Sequence, residues 1–258
     1  MPDYVEVDDA RKMSGLRLVL SPGVPGPWSE AAKGIFYVKK IAYIPVRQKM
    51  GNDPALKQWT AQDSAPVAIY NDERPRSTWI EQLYLAERLA PEPALIPASV
   101  EERVLMFGYC NELCGENGFG WAKRLLLFHT AFTTPGGSDE NLAPTRVLAA
   151  KYGYNPAKVD QSKARVVEIL RALSTQIEQQ HNCASRYFIG HRLSALDIYW
   201  AAFCAIINPM PDELCPMTPA FRQIYTNRDP EIAAAASPLL YEHRDFIYRQ
   251  HLELPVDN

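Results

Sequence analysis

The sequence predicts a layered α/β domain followed by an all-helical domain. Strand and helix patterns alternate as far as residue 90, and only helical patterns follow residue 97. A mixed order of this kind implies a sheet covered by helices. The connecting segment, Ala90-Pro-Glu-Pro-Ala-Leu-Ile-Pro97, is rich in proline and favours an extended chain. We therefore expect an N-terminal extension at 1–15, an α/β domain at 16–90, a linker at 91–97 and a helical domain at 98–258.

Short patterns predict the elements of the α/β domain. Leu16–Leu20 is an apolar strand, stopped by a turn rich in proline and glycine at Ser21–Pro27. Ser29–Lys39 is predicted to be a helix, with an acidic residue in its first turn and a basic residue in its last. The remaining elements are a strand at Tyr43–Gln48, an irregular or helical stretch around Pro54–Trp59, a strand at Ala65–Tyr70, a short fourth strand after Asn71–Glu73 and a helix at Thr78–Leu89.

Two capping motifs mark helix starts beyond residue 97. In Ser99-Val-Glu-Glu102 the serine hydroxyl can accept a backbone N–H while the glutamate reaches back. Ser194-Ala-Leu-Asp197 is the same motif with aspartate in the last place, and it opens an apolar helix to Ile207. Further helices are predicted at 121–133, 144–152, 159–181, 217–225 and 237–251, with a loop at 134–144.

The composition argues against nucleic-acid-binding and membrane-spanning proteins. Of the 258 residues, 47% are hydrophobic and 22% are charged, which is an ordinary globular balance. The formal net charge is −3 and no basic run occurs, so binding to nucleic acid is not expected. No apolar stretch reaches the ~20 residues of a membrane helix, and the acidic start does not resemble a signal peptide.

The cysteines Cys110, Cys114, Cys183, Cys204 and Cys215 indicate a reduced protein. Their number is odd, their spacing is irregular and no Cys-x-x-Cys occurs, so no disulfide framework is expected. Cys110 and Cys114 share one helix face, but without a second pair they are predicted to be core residues rather than metal ligands. We expect a cytoplasmic location and no metal.

Three stretches resemble signatures of the glutathione transferase superfamily. Gly26-Pro-Trp-Ser29 lies between the first strand and the following helix, as the family's Cys-Pro-Phe/Trp-Ser or Ser-Pro-Trp-Ser does. Ser64-Ala-Pro-Val67 and then Arg76-Ser-Thr-Trp-Ile80 are similar to Val-Pro-x-Leu and Glu-Ser-x-x-Ile. Tyr187-Phe-Ile-Gly-His-Arg-Leu-Ser-Ala-Leu-Asp197 resembles the capping motif Phe-Leu-x-Gly-x-x-Ser-x-Ala-Asp. The resemblance covers residues 16–250.

The resemblance implies a thioredoxin-like N-terminal domain, a homodimer and a glutathione site between the domains. Pro66 is expected to follow a cis peptide bond, with the backbone of Ala65 against the cysteinyl part of glutathione. The positions that match the family's glutathione site are Gly26, Pro27, Trp28, Ala65, Pro66, Arg76 and Ser77. Tyr109 and Trp121 fall where the family's substrate cleft is lined.

Glutathione chemistry requires a thiolate, and Gly26 departs from the family on this point. A free thiol has a pKa of about 8.5. A helix N-terminus favours an anion by roughly 0.3–1 kcal/mol, and a side-chain donor adds about 1.5–3 kcal/mol. Gly26 stands where related proteins carry the catalytic Cys, Ser or Tyr. Ser29 is our catalytic candidate, with an N-cap role as its alternative, and Ser21 is the next hydroxyl to consider. For Trp28 the alternative is packing between the domains.

Arg76 is the second position at which the sequence departs from the family's pattern. The family places a glutamate there to engage the amino end of the γ-glutamyl group. Arginine prefers carboxylates, so Arg76 would bind the other end of that group or a different acid. The alternative is an exposed arginine in a turn. Ser77 and Thr78 precede a helix, so each is either a ligand or a cap.

Tyr109, Phe119 and Trp121 lie in an aromatic and glycine-rich segment. Core packing explains such a pattern, but a glycine within a helix costs about 1 kcal/mol relative to alanine. The glycines therefore indicate a kink or a close approach. Tyr109 and Trp121 are the candidates for the substrate cleft.

Two functions stay open at this point. The first is a glutathione transferase-like enzyme, a transferase or a lyase or isomerase using the same thiol. It would bind glutathione as co-substrate and a hydrophobic or small electrophilic substrate between the domains, with weak thiolate activation. The second is a non-catalytic protein of the same fold that carries an apolar or acidic small molecule. Gly26 favours the non-catalytic protein, whereas Ala65-Pro66 favours the enzyme. The fold accommodates both functions.

Overall fold

The computed structural model describes residues 3–49, 53–134 and 139–256, and it has the predicted order of an α/β part followed by a helical part. The α/β part consists of α1 Val7–Ala10, β1 Leu16–Leu20, α2 Pro27–Val38, β2 Ile44–Arg47, α3 Pro54–Thr60, β3 Val67–Tyr70 and α4 Trp79–Leu89. The helical part consists of α5 Val100–Cys114, α6 Phe119–Thr133, α7 Asp139–Lys151, α8 Val159–Asn182, α9 Ala195–Phe203, α10 Pro219–Tyr225, α11 Pro230–Ala235 and α12 Pro238–His251.

Strand β1 lies at the centre of the sheet, between β2 and β3. It runs parallel to β2, with Arg17 opposite Ile44, and antiparallel to β3, with Val19 opposite Val67. The first two strands thus form a β-α-β unit around α2, and the third strand reverses direction. This is the thioredoxin-like arrangement that the resemblance implies.

The residues of β1 alternate between two apolar layers. Leu16, Leu18 and Leu20 belong to the cluster that includes α2 and α4. Val19 points the other way, into a smaller cluster with α1 and α3. Because side chains alternate along a strand, one buried strand can hold helices on both faces of the sheet.

Both edges of the sheet differ from the sequence prediction. The segment before β1 is attached to β2: Val5 accepts from the N–H of Arg47 and donates to the carbonyl of Pro45, both at 2.9 Å. The predicted fourth strand is reduced to one pair, in which Ala68 and Arg76 exchange hydrogen bonds of 2.9 Å. Pro75 has no N–H, so a longer ladder is interrupted beside Arg76.

Two helix boundaries also differ, and one helix was not predicted. Helix α7 begins at Asp139, earlier than predicted, and contains Pro144. Helix α11 was not predicted, because six residues are too few to show an apolar period. The Asp229 carboxylate caps it, accepting from the N–H groups of Glu231 at 2.9 Å and Ile232 at 3.2 Å. The helix predicted to reach Ile207 ends as a 3₁₀ turn at Cys204–Ile206.

The Asp197 carboxylate holds the first turn of α9. It is fully buried and accepts the N–H of Phe188 at 2.8 Å, the N–H of Ser194 at 2.7 Å and the hydroxyl of Ser194 at 2.8 Å. His243 Nε2, from α12, lies 2.8 Å from the same carboxylate. The predicted capping motif is therefore present, and it also joins α9 to α12.

Helix α9 is the centre of the helical part. All nine of its residues are buried, and it contacts α2, α5 and α12. An ideal Cβ on Gly34 of α2 would lie 3.0 Å from Ile198 Cγ2, so α2 and α9 approach closely at that glycine. The helical part thereby supports the helix that follows β1.

We expect Asp197→Ala to destabilise the protein more than Ser194→Ala. Ser194→Ala removes one polar contact of a cap, which costs about 0.5–2 kcal/mol. Asp197→Ala leaves several buried donors without an acceptor, and a loss of about 3–5 kcal/mol is expected. Urea unfolding followed by circular dichroism measures both. Asp9→Ala, at an exposed ion pair with Lys12, is the control and should change stability by less than about 0.5 kcal/mol. An Asp197 variant as stable as the Asp9 variant would contradict the central role of this carboxylate.

Candidate functional site

A cavity of about 420 Å³ opens at the N-terminal end of α2, where the α/β part meets the helical part. The first turn of α2 forms one side, and the loop before β3 forms another. Helices α6 and α7, with the end of α10, form the side contributed by the helical part. The cavity thus brings together two of the predicted signatures, Gly26–Ser29 and Ser64–Ala65.

Gly26 is the N-cap of α2 and carries no side chain into the cavity. Its φ is −72° and its N–H donates to the carbonyl of Val24 at 2.7 Å. Pro27 follows at the first helical position, where its missing N–H costs nothing. The first-turn N–H groups of Trp28 and Ser29 have no partner within the helix, so they are the main-chain donors at this end of the cavity.

Ser29 lies inside the first turn of α2, so its alternative role as an N-cap is not found. The residue is 7% exposed and borders the cavity. An ideal Cβ built on Gly26 would lie 4.0 Å from Ser29 Oγ. The Ser29 hydroxyl therefore borders the space that a side chain at position 26 would occupy.

Ala65 lies on the other side of the cavity, and Pro66 follows it outside the lining. Their peptide bond is cis, as predicted. The last pair of the β1–β3 ladder joins Val19 to Val67, so the main-chain groups of Ala65 lie outside the ladder. Ser64 and Ala65 line the cavity directly.

Ser21 and Gln48 connect the ends of two strands at the edge of the cavity. The Ser21 hydroxyl donates to Gln48 Oε1, and Gln48 Nε2 donates to the carbonyl of Asp63 at 2.9 Å. The hydroxyl of Ser21 is therefore engaged by a neighbour, which makes it a weaker candidate donor than Ser29.

Trp28 connects α2 to the helical part. Its Nε1 donates to the carbonyl of Cys114 at 2.9 Å, and its ring meets the Phe203 ring edge-on at 4.8 Å. An ideal Cβ on Gly120 would lie 2.3 Å from Phe203 Cε1 and 2.9 Å from Trp28 Cη2. The packing interpretation of Trp28 is correct, and Gly120 provides the close approach that the glycine-rich segment indicated.

Arg124, which the sequence analysis did not single out, lies in the cavity wall. Its guanidinium carbon is 4.2 Å from the centre of the Trp28 ring and 4.0 Å from that of Tyr152. Burial lowers the pKa of Arg124 because the charged form loses hydration. A sequence signal existed: Arg124 is one helical turn after Gly120, so both lie on the face of α6 that meets α2.

Five of the predicted site residues lie outside the cavity lining, and Pro66 is one of them. Arg76 pairs with Glu73 at 2.6 Å and donates to the carbonyl of Arg74. Ser77 precedes the Thr78 cap of α4 and has no place in the lining. The Tyr109 hydroxyl faces Gln176 at 3.5 Å. Trp121 stacks edge-on with Tyr152 at 5.5 Å and lines a neighbouring hollow instead.

The cysteines are all free thiols, and Cys110 and Cys114 are buried, in agreement with a core role. Burial raises the pKa of both thiols well above the ordinary value. Within residues 3–49, 53–134 and 139–256, no group of histidine, cysteine and acidic side chains is placed to hold a metal ion. In the same ranges no helix is both long and apolar enough to cross a membrane.

No family model and no curated protein matches the chain. Solved structures match its fold. The chain is similar to yeast Ure2p in complex with glutathione, with 9% identity and a TM-score of 0.63 over 92% of this chain and 95% of that one. It is also similar to glutathione transferase Omega 3C from Trametes versicolor, with 14% identity and a TM-score of 0.57 over 95% and 84% of the two chains. A third similar structure is rice GST1 in complex with glutathione, with 16% identity and a TM-score of 0.58 over 94% and 93%. This chain therefore has the fold of the glutathione S-transferases.

Proposed function

We propose that the protein binds glutathione in the cavity at the N-terminus of α2 and acts as a transferase-like enzyme with weak thiolate activation. The observation that carries the proposal is the meeting of Gly26–Ser29 with Ser64–Ala65 around one cavity. Two of the similar structures hold glutathione, which supports the same ligand here. A hydrophobic or small electrophilic second substrate would enter from the side of α6 and α7.

The weakness of thiolate activation follows from the donors present. The N-terminus of α2 stabilises an anion by roughly 0.3–1 kcal/mol, which lowers a thiol pKa by less than about one unit. Gly26 adds nothing, since its N–H already donates to Val24. The Ser29 hydroxyl is the side-chain donor nearest to the vacant position 26, and we assign it the catalytic role.

Arg76 and Ser77 remain proposed ligands of the γ-glutamyl end. Arg76 is held by Glu73, which also accepts from Arg88 at 2.6 Å. A glutathione carboxylate would therefore have to compete with Glu73 for the guanidinium. Ser77 lies directly before the α4 cap, so its N–H is close to a helix N-terminus that favours a carboxylate.

The absence of a side chain at Gly26 favours a second candidate function. A protein that only carries a small molecule needs the cavity and not the thiolate. In that case glutathione would bind without reacting, or an apolar or acidic ligand would occupy the cavity in its place. Conjugation activity separates the two functions, whereas glutathione affinity alone does not.

We also propose a homodimer in which the N-terminal domain of each chain packs against the helical domain of the other, with α4 and α5 in the interface. Tyr84 on α4 is 52% exposed and stacks on Phe107 of α5 at 5.8 Å. Val104 and Leu105 on α5 are 66% and 48% exposed. Neighbouring apolar residues exposed in this way commonly mark an interface.

Ser29→Ala should leave glutathione affinity unchanged and slow conjugation about ten- to a hundredfold. The reason is the loss of one hydrogen bond to an anion, worth about 1.5–3 kcal/mol. Calorimetry measures affinity, and absorbance of the thiolate against pH measures the pKa of the bound thiol, which should rise by about one to two units. Ser21→Ala is the matched comparison. An equal loss in that variant would move the catalytic role to Ser21.

Gly26→Cys should introduce thiol transfer, because position 26 can accept a side chain. The nearest heavy atoms to an ideal Cβ are 3.9 and 4.0 Å away, and the backbone is extended there. A cysteine at a helix N-terminus has a lowered pKa and reacts with disulfides. Reduction of a small mixed disulfide by glutathione is the assay, with Gly26→Ser as the control that lacks a thiol. If the introduced thiol keeps the ordinary pKa of about 8.5, this position does not favour an anion.

Val104→Asp should convert the dimer to a monomer of 29.1 kDa in analytical ultracentrifugation. A charge at this position would be buried without a partner in the proposed interface. Val147→Asp, at a valine that is 61% exposed on α7, is the matched control and should stay dimeric. A wild-type monomer at micromolar concentration would refute the dimer.

A further inference from the structure

Lys151 connects the end of α7 to the loop before β3, residues 63–66. Its Nζ pairs with the Asp63 carboxylate and lies 3.3 Å from Ser64 Oγ. All three residues line the cavity. The hydrogen bond from Lys151 lowers the pKa of the Asp63 carboxyl below its ordinary value, so the pair is charged at neutral pH. The contact therefore joins the helical part to the α/β part beside the cavity.

The other anchors of this loop hold its main chain and come from the α/β part. Gln48 Nε2 donates to the carbonyl of Asp63 at 2.9 Å, and Gln82 Nε2 donates to the carbonyl of Pro66 at 3.1 Å. Within the described ranges, Lys151 is the only residue of the helical part that forms a hydrogen bond or an ion pair with the loop. The two side chains that it contacts have no other polar partner there.

The main-chain groups of Ala65 are free between these anchors. Among the residues that the structure describes, neither its N–H nor its carbonyl forms a hydrogen bond, and the residue lines the cavity. Groups of this kind pair with water or with a ligand. Because Ser64 directly precedes Ala65, the contact with Lys151 restrains the position of these groups.

We propose that Lys151 is a positioning residue, which holds Asp63 and Ser64 so that the main chain of Ala65 faces the cysteinyl part of glutathione. This role rests on the proposed function, whereas the restraint on the loop can be measured without a ligand. The side chains of Lys151 and Asp63 are 30% and 48% exposed, so the contribution of their pair is modest.

A double-mutant cycle tests the role. Lys151→Met and Asp63→Asn should each weaken glutathione binding about two- to fivefold in calorimetry. The double variant should bind no more weakly than either single variant, because all three lack the same contact. Lys151→Arg keeps the charge and should stay within about twofold of the wild type.

Kinetics distinguish positioning from a general loss of structure. In the conjugation assay the KM for glutathione should rise with the loss of affinity, while kcat changes by less than about twofold. Lys158→Met is the matched control. Lys158 is exposed, lies outside the cavity lining and forms no ion pair with any described residue, so this variant should behave as the wild type.

Hydrogen exchange of the segment 61–68 measures the restraint without glutathione. Exchange should be about two- to fivefold faster in the Lys151→Met and Asp63→Asn variants and unchanged in Lys158→Met. If the wild type does not bind glutathione but exchange responds in this way, the restraint stands and the transferase proposal falls. Glutathione binding that is indifferent to both substitutions would overturn the positioning role, whatever the exchange shows.

A direct contact between Lys151 and a carboxylate of glutathione would give a different pattern. Asp63→Asn would then free the ammonium, and glutathione would bind that variant as tightly as the wild type or more tightly. Lys151→Met would still weaken binding. Opposite effects of the two substitutions would therefore make Lys151 a ligand of glutathione and overturn the inference.

Discussion

The rest of the structure depends on the buried carboxylate of Asp197. A charged group with no exposure persists only where donors surround it, and here the donors come from the preceding turn and from α12. They fix the start of α9, and α9 contacts α2, α5 and α12. Since α2 carries Gly26–Ser29, the position of the cavity is set by an interaction in the centre of the helical part.

The cavity combines a weak anion site with a cation, Arg124, that has no charged partner among the described residues. The first turn of α2 offers main-chain N–H groups and the Ser29 hydroxyl, and position 26 offers no side chain. Arg124 faces the same space from α6. Such a site has no side-chain donor at position 26 and holds a full charge at Arg124, and a shared fold does not determine its chemistry.

The sequence predicted the fold well, because the signals involved are local. The α/β part followed by a helical part, the cis bond before Pro66 and the motif at Ser194–Asp197 are confirmed. The domain boundaries at 15, 90 and 97 and the cytoplasmic location stay predictions. Arg124 was missed because its role depends on how α6 packs against Trp28. The apolar period of a sequence does not predict contacts between side chains. It therefore could not show that Arg76 pairs with Glu73 or that Ser29 lies inside α2.

The indole of Trp28 has a consequence for how the protein unfolds. The ring belongs to α2 but is held by Cys114 and Phe203, and one continuous apolar core joins β1 and α2 to α9. Neither part can lose its structure without exposing the core of the other. The two parts should therefore melt together in a single cooperative transition, and neither is expected to be stable when expressed alone.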